Sequence, residues 1–176
     1  MYEHMYVSTY VCTHVCTYVC LRVHIYMMQF CTQPLFPLVS FSLCSILIEA
    51  LSGVDPTVLS DDERLAFWIN LYNALVLWVH LQQGPPPTMG KWIQRLRSAC
   101  YTVGGVAISA MEIEHSLLRA RSHRSTMART LKMKLFEKGD PRAKWTCVQP
   151  EPFVSFALAP GTRSAPPVRK RHVAVV

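Results

Sequence analysis

The chain has 176 residues, of which 51% are hydrophobic and 16% charged, a composition that suits one globular domain and excludes global disorder. The net charge of +7 is unevenly spread: residues 1–90 carry two Lys or Arg against six Asp or Glu, whereas residues 91–176 carry sixteen against five. Such asymmetry can mark an anionic partner, although a solvated basic face or the loss of an acidic counterpart is the commoner cause. No apolar run reaches the roughly 18 residues that a membrane span needs, so no membrane segment is predicted.

The cysteine pattern favours reduced thiols. Seven cysteines are present, an odd number, and no Cys-x-x-Cys pair occurs. A disulfide framework is therefore disfavoured, and a cytoplasmic or nuclear location is favoured over secretion.

Residues 1–34 form a low-complexity leader, predicted to be unstructured, in which the segment TYVCTHVCTYVC repeats every four residues. Metal binding by its cysteines and His14 is one interpretation, but structural zinc sites pair cysteines within loops that fold round the ion. A β-strand is a second interpretation, because the residues are mostly β-branched or aromatic. A third interpretation is favoured. Residues whose codons have the pattern purine–pyrimidine–purine alternate with residues whose codons have the complementary pattern. Translation of a DNA repeat from an intron or untranslated region gives such an alternation.

The next elements are a predicted first helix from Phe36 to Leu51 and a longer one from Ser60 to Leu81. Ser60 and Glu63 form a capping box at the start of the long helix. Its later residues are apolar on every face, which predicts a central buried helix, and the stretch from Gly84 to Pro87 ends it.

Asn70 and Asn73 lie three residues apart on this buried helix, so they share one face and need partners inside the fold. A buried amide without a partner costs about 1–3 kcal/mol. The favoured interpretation is structural, with both amides fixing neighbouring loops; a polar functional site is the alternative.

A short amphipathic helix is predicted from Lys91 to Ser98, with Trp92 and Leu96 facing inward. Next, Tyr101–Val103 and Val106–Ile108 flank Gly104-Gly105, the pattern of a two-residue hairpin.

Ser109 and Glu112 then form a second capping box at the start of another helix. Glu112 and His115, three residues apart on it, could bind a metal, but di-metal bundles need a second copy of this motif. No metal or other cofactor is predicted. His115 could instead be a general base positioned by an acid, although a lone histidine is more often structural.

Residues 119–144 contain nine Lys or Arg against two Asp or Glu. They are predicted to form an exposed connection, and without a nucleic-acid-binding motif we do not expect nucleic acid as a partner. Phe153 to Leu158 is predicted as a strand, followed by a loop from Ala159 to Pro167; such loops commonly carry function.

Three segments together resemble the domain of unknown function 547, found in plant proteins described as ternary-complex-factor-like or leucine-zipper-like and in bacterial secreted proteins. They are DERLAFWINLYNALVLWVHL, YTVGGVAISAMEIEHSLLR and EPFVSFALAPGTRSAPPVR. The expected domain spans residues 35–172, truncated at its C-terminus and followed by a tail at 173–176.

The resemblance implies an α+β fold with a small antiparallel sheet, and bacterial relatives have been likened to papain-type cysteine peptidases. In such a peptidase the nucleophile would lie where this chain has Ser164-Ala165-Pro166-Pro167, and an earlier family cysteine would fall at Ala159 or Pro160. His115 matches the family's Ile-Glu-His motif and could act as the base, but alanine at position 165 removes the thiol, and the serine before it needs stronger activation.

Two functions follow from this resemblance. The favoured one is a non-catalytic protein-interaction or scaffold module, or a partial gene product. The alternative is a hydrolase that uses His115, which rests on analogy alone.

Overall fold

The structure is a computed structural model that describes residues 48–120, 129–133, 135–137, 139–148 and 151–161. Of the predicted first helix, only the last residues fall within these ranges, and residues 48–50 are helical. Short 3-10 turns follow at Leu51–Gly53 and Pro56–Val58. The leader at 1–34, residues 162–167 of the predicted loop and the tail at 173–176 lie outside the described residues.

Helix α1, Asp61–Gln83, is the central element of the fold. Its predicted capping box is confirmed: the Ser60 backbone N–H donates to Glu63, and the Ser60 hydroxyl accepts from the Glu63 N–H. Residues 67–77 are all buried, so three turns are enclosed on every side, as an all-round apolar helix requires. The helix ends at Gly84, whose φ of 64° places it in the left-handed region.

Helix α2, Met89–Ser98, buries Trp92 and Leu96, as its amphipathic pattern predicts. Strands β1, Cys100–Val103, and β2, Val106–Ser109, pair antiparallel with Val103 opposite Val106. The predicted hairpin is therefore confirmed. Gly104 and Gly105 both have positive φ, which their turn requires.

Ser109 caps the one-turn helix α3, Ala110–Glu112, through the predicted capping box. The chain then departs from the predicted α-helix and continues as a π-helix, Ile113–Leu118. All of its residues except Glu114 are buried, and it packs against α1. Such π-helical stretches are uncommon and are found frequently at functional sites.

The strand predicted from Phe153 to Leu158 is wrong, because the structure has a short helix, α4, at Val154–Ala157. The Leu158 N–H donates to the Val154 carbonyl, and the Phe153 N–H donates to the side chain of Glu151. Among the described residues the only sheet is the β1–β2 pair. The backbone N–H groups of this segment therefore bond to nearby residues of the same segment and not to a neighbouring strand.

The connection predicted as exposed across residues 119–144 is partly built into the fold. Its described end forms a 3-10 helix, Pro141–Trp145, in which Trp145 is buried. The indole N–H of Trp68 on α1 donates to the Trp145 carbonyl at 3.2 Å. Leu131, Met133 and Phe136 also pack partly against the core. Burial of these apolar side chains outweighs the basic composition of the segment.

The fold is α+β, as predicted: in the described part of the chain, a central buried helix is surrounded by shorter helices and a small antiparallel sheet. Within the part of the chain that the structure describes, no helix combines the length and apolarity needed to cross a membrane.

Candidate functional site

Side chains from α1 and the π-helix meet in a polar network beneath α4. The Tyr72 hydroxyl, on a residue with no exposed surface, donates to Glu114 Oε2 at 2.9 Å. Arg119 Nη2 lies 3.4 Å from the other carboxylate oxygen of Glu114. Burial, reinforced by the adjacent Glu114 carboxylate, raises the pKa of Tyr72 far above its ordinary value. The phenol therefore remains a hydrogen-bond donor and is not a source of a proton.

Arg119 extends this network to the surface. Its Nη2 donates to Ser155 Oγ at 3.0 Å, and Ser155 is an exposed residue of α4. A core tyrosine and a surface serine are thus linked through one carboxylate and one guanidinium. Charge-assisted bonds of this kind hold their groups in a defined geometry.

Asn73 clamps the chain on both sides of Leu158. Its Nδ2 donates to the Ala157 carbonyl at 3.0 Å, and its Oδ1 accepts from the Ala159 N–H at 2.8 Å. The side-chain amide thereby bonds to the backbone as a neighbouring strand would. Asn73 is 1% exposed, so the loop that follows α4 is tied directly to the core helix. Asn70 is also buried.

The same loop contacts a histidine of α1. Gly161 has φ 72°, and a Cβ atom added there would lie 2.1 Å from His80 Cε1. The His80 ring is held by a 3.0 Å contact between Nδ1 and the Val76 carbonyl. On its other side lies Trp92, with ring centroids 4.7 Å apart. The described part of this loop therefore packs directly against the His80 imidazole.

His115, the predicted candidate base, lies on the π-helix and is only 6% exposed. Glu112, its predicted partner, has both carboxylate oxygens engaged elsewhere. One accepts from Ser109 and the other from Arg142 Nη1 at 2.8 Å. Of the two positions predicted for an earlier family cysteine, Ala159 is buried and Pro160 is half-buried, and neither side chain carries a thiol. Ser164 and Ala165 lie outside the described residues.

A separate groove of about 400 Å³ opens beside Arg142. Arg142 bonds to both Glu112 and Asp140 and stacks on the Phe136 ring at 4.4 Å. Its hydrogen bond to Asp140 lowers the pKa of that carboxyl group. Its charge is thus already compensated within the groove. Among the described residues, no cluster of three or more His, Cys, Asp or Glu could hold a metal ion.

Sequence reasoning did not identify Tyr72, Arg119 or His80 as members of this region. A signal existed for Tyr72, because a phenol in a helix that is apolar on all faces must find a buried hydrogen-bond partner. Nothing local identified that partner as Glu114, which is 42 positions away. His80 gave no signal, since its neighbour Gly161 is distant in the chain.

In a comparison with protein-family models, the family described as "Protein of unknown function, DUF547" matches residues 56–174. The match covers more than half of the chain and includes every element from Pro56 to Gly161. No curated protein and no solved structure matches the chain.

Proposed function

The chain belongs to the DUF547 family, and from that premise we propose that it is a non-catalytic protein-interaction module. The finer assignment, to the plant-type, ternary-complex-factor-like members that work inside the cell, is part of this proposal. The family's motifs are consistent with the α+β fold. The site formed by these segments is better suited to binding than to catalysis.

The observation on which the proposal rests is the state of the candidate catalytic groups. His115 is 6% exposed on a helix enclosed by the core, whereas a general base must reach the proton that it removes. The Glu112 carboxylate that would orient it is engaged by Ser109 and Arg142. Ala159 and Ala165 supply no nucleophile.

Several other polar side chains of this region have structural partners. Glu114 accepts a hydrogen bond from Tyr72 and forms an ion pair with Arg119, and Asn73 bonds to the backbone of the loop. Groups used in this way rigidify a surface that is presented to a partner. A rigid loop above a closed polar network suits recognition.

One observation favours a hydrolase as the second candidate: His115 lies on a π-helix, a conformation that recurs at functional sites. In that case Ser164 would be the nucleophile and His115 its base. Both residues fall in segments that resemble the family's motifs.

Two activity-based probes separate these functions: an epoxysuccinyl probe for thiols and a fluorophosphonate probe for serine hydroxyls. They are applied to the full chain, to His115→Gln and to a matched histidine control, His80→Gln. Circular dichroism establishes that each variant is folded. We expect no labelling that depends on His115. Labelling of the wild type and of His80→Gln that disappears in folded His115→Gln would overturn the proposal.

A further inference from the structure

Helix α2 and a neighbouring turn carry a group of basic side chains without acidic ones. Residues 88–100, which include α2, and residues 129–133 contain five Lys or Arg and no Asp or Glu. A 2.9 Å hydrogen bond from Arg97 Nη2 to the Leu131 carbonyl joins the two segments. All five basic residues are exposed except Arg95, which is half-buried. We call them the cationic surface: Lys91, Arg95, Arg97, Arg129 and Lys132.

The cationic surface differs from the other arginines that the structure describes. Arg64, Arg119 and Arg142 each form an ion pair with Asp or Glu. No ion pair joins a member of the cationic surface to any described acid. Residues 115–136 contain no acid at all, and Glu112, on the helix that packs against α2, is already paired with Arg142. The charge of the cationic surface is therefore uncompensated within the described residues.

Many of the acidic residues lie at the opposite end of the central helix. Three of them occupy the first turn of α1, whereas Arg95 donates to the carbonyls of Gln83 and Gly84 where α1 ends. Helix α1 has 23 residues and is therefore about 35 Å long. Charges interact strongly only within about 8 Å at physiological salt. The acids at the start of α1 thus leave the cationic surface free to attract an anion from outside.

Backbone carbonyls hold two of the guanidinium groups in place. Arg95 makes two such hydrogen bonds, of which the one from Nη1 to the Gly84 carbonyl is 2.8 Å long, and Arg97 makes one, to Leu131. Basic side chains commonly bond in this way to the last carbonyls of a helix. A guanidinium has five N–H donors, so both groups keep donors for a carboxylate while their positions are fixed.

The form of the cationic surface favours an acidic protein over other polyanions. Guanidinium groups that are held against the fold do not reach the floor of a DNA major groove, which is about 8.5 Å deep. No exposed aromatic ring is available in these two segments for a base to stack on, since Trp92 is buried. Insertion into a lipid surface needs an apolar face, whereas α2 buries Trp92 and Leu96 and exposes one large apolar residue, Met89.

We propose that the cationic surface binds an acidic, extended segment of a partner protein. Carboxylates of that segment pair with the exposed lysines and accept hydrogen bonds from the fixed guanidinium groups of Arg95 and Arg97. Complementary charge of this kind accelerates association and makes it sensitive to salt. The inference goes beyond the proposed function, because the loop after α4 does not form this surface and His115 takes no part in it.

The test uses a fluorescein-labelled peptide of about 20 residues in which Glu alternates with Ser or Gly, a composition that stays unfolded on its own. A comparison peptide has Gln in place of every Glu. Binding to the full chain is measured by fluorescence anisotropy at about 0.15 M salt and at lower salt. We expect the acidic peptide to bind about tenfold more tightly than the glutamine peptide, and its affinity to fall as salt rises.

A double variant, Lys91→Glu with Lys132→Glu, should raise the Kd of the acidic peptide about tenfold. Replacement of both lysines by Gln is the milder version and should raise Kd about threefold. Lys144→Glu is the matched control, because Lys144 is an exposed lysine of the 3-10 helix Pro141–Trp145, which packs against the turn Pro56–Val58. Its Kd should stay close to that of the wild type. Circular dichroism and thermal unfolding establish that each variant is folded.

Wild-type affinity in both folded double variants, or an equal loss of affinity in Lys144→Glu, would overturn the inference. The same measurement is made with a DNA duplex of about 20 base pairs and with vesicles of phosphatidylserine and phosphatidylcholine. Duplex or vesicle binding that is tighter than peptide binding and is lost in the double variants would also overturn it. These outcomes leave the non-catalytic assignment intact, whereas probe labelling that depends on His115 refutes that assignment and leaves the cationic surface unaffected.

Discussion

The Tyr72 hydroxyl lies 2.9 Å from Glu114 Oε2, in a contact that joins the central helix to the π-helix. Both groups are largely shielded from bulk water: Tyr72 is fully enclosed, and the Glu114 side chain is only 14% exposed. Arg119 lies on the far side of the same carboxylate, so the phenol and the guanidinium together compensate its negative charge. The pairing explains how a helix surrounded by apolar residues accommodates the buried hydroxyl group of Tyr72 near its middle.

Removal of this hydroxyl should destabilise the fold. Tyr72→Phe deletes one hydrogen bond to a charged acceptor, and we expect a loss of about 1.5–3 kcal/mol in the free energy of unfolding. Urea unfolding of Tyr72→Phe, Glu114→Gln and the double variant forms a cycle that isolates the pair. Additive losses would show that the two groups are not coupled.

Asn73→Leu should destabilise the domain by about 1–3 kcal/mol, because the Ala157 carbonyl and Ala159 N–H lose their partner. Gln82→Leu is the matched control, since Gln82 is an exposed amide on the same helix and its loss should change stability little. Hydrogen exchange adds a local measurement, in which the Ala159 amide should lose protection. Equal unfolding midpoints in the two variants would contradict the clamp.

Sequence predicted the elements whose signals are local. The capping boxes at Ser60 and Ser109 and the hairpin at Gly104 depend on residues within a few positions of each other, and all three are present. The segment from Phe153 to Leu158 has strand-like composition, but a strand also needs a neighbour, and pairing is not visible in local sequence. The switch to a π-helix after Glu112 likewise has no local signal.

The candidate site was harder to predict than the fold, because its contacts join distant positions. Asn73 was singled out from its buried position, yet its partners at Ala157 and Ala159 are more than 80 positions away. The pairing of His80 with Gly161 is of the same kind. A single sequence indicates which polar residues need partners but does not say which residues meet that need.

Gly161→Ala should destabilise the loop against α1. Left-handed backbone costs a residue with a Cβ atom about 1–2 kcal/mol, and the new atom would also meet the His80 ring. The ring cannot easily turn away, since Val76 and Trp92 hold it. Thermal unfolding of Gly161→Ala with and without His80→Ala separates the two effects, and we expect partial recovery in the double variant.

Gly139→Ala is the control for that measurement, because a Cβ atom there meets nothing within 4 Å and the residue has no positive φ. Its stability should equal or slightly exceed that of the wild type, as fewer unfolded conformations remain. Wild-type stability in Gly161→Ala would show that the loop does not pack on His80.

Stability should fall in alkaline solution because of two buried groups. Burial, with a smaller effect of Asp61, raises the pKa of Cys147 from 9.0 to about 11. Burial also raises the pKa of Tyr72 above its ordinary 10.0. The unfolded chain loses these protons at lower pH than the folded chain does. The stability that they contribute is therefore complete below pH 9 and declines as pH rises from about 9 towards 11 for the thiol, and above 10 for the phenol.

Urea unfolding across this pH range, in the presence of a reductant, measures the effect. Cys147→Ala should show a shallower decline of the free energy of unfolding between pH 9 and about 11 than the wild type. The slope is the informative quantity, because the substitution also removes packing at every pH. Cys100→Ala is the comparison: partial burial, with the Glu112 charge, also raises the pKa of this thiol, but Cys100 is exposed, so its removal should flatten the decline less than the loss of Cys147 does. A wild-type slope in Cys147→Ala would mean that this thiol ionises in the folded protein as easily as in the unfolded chain.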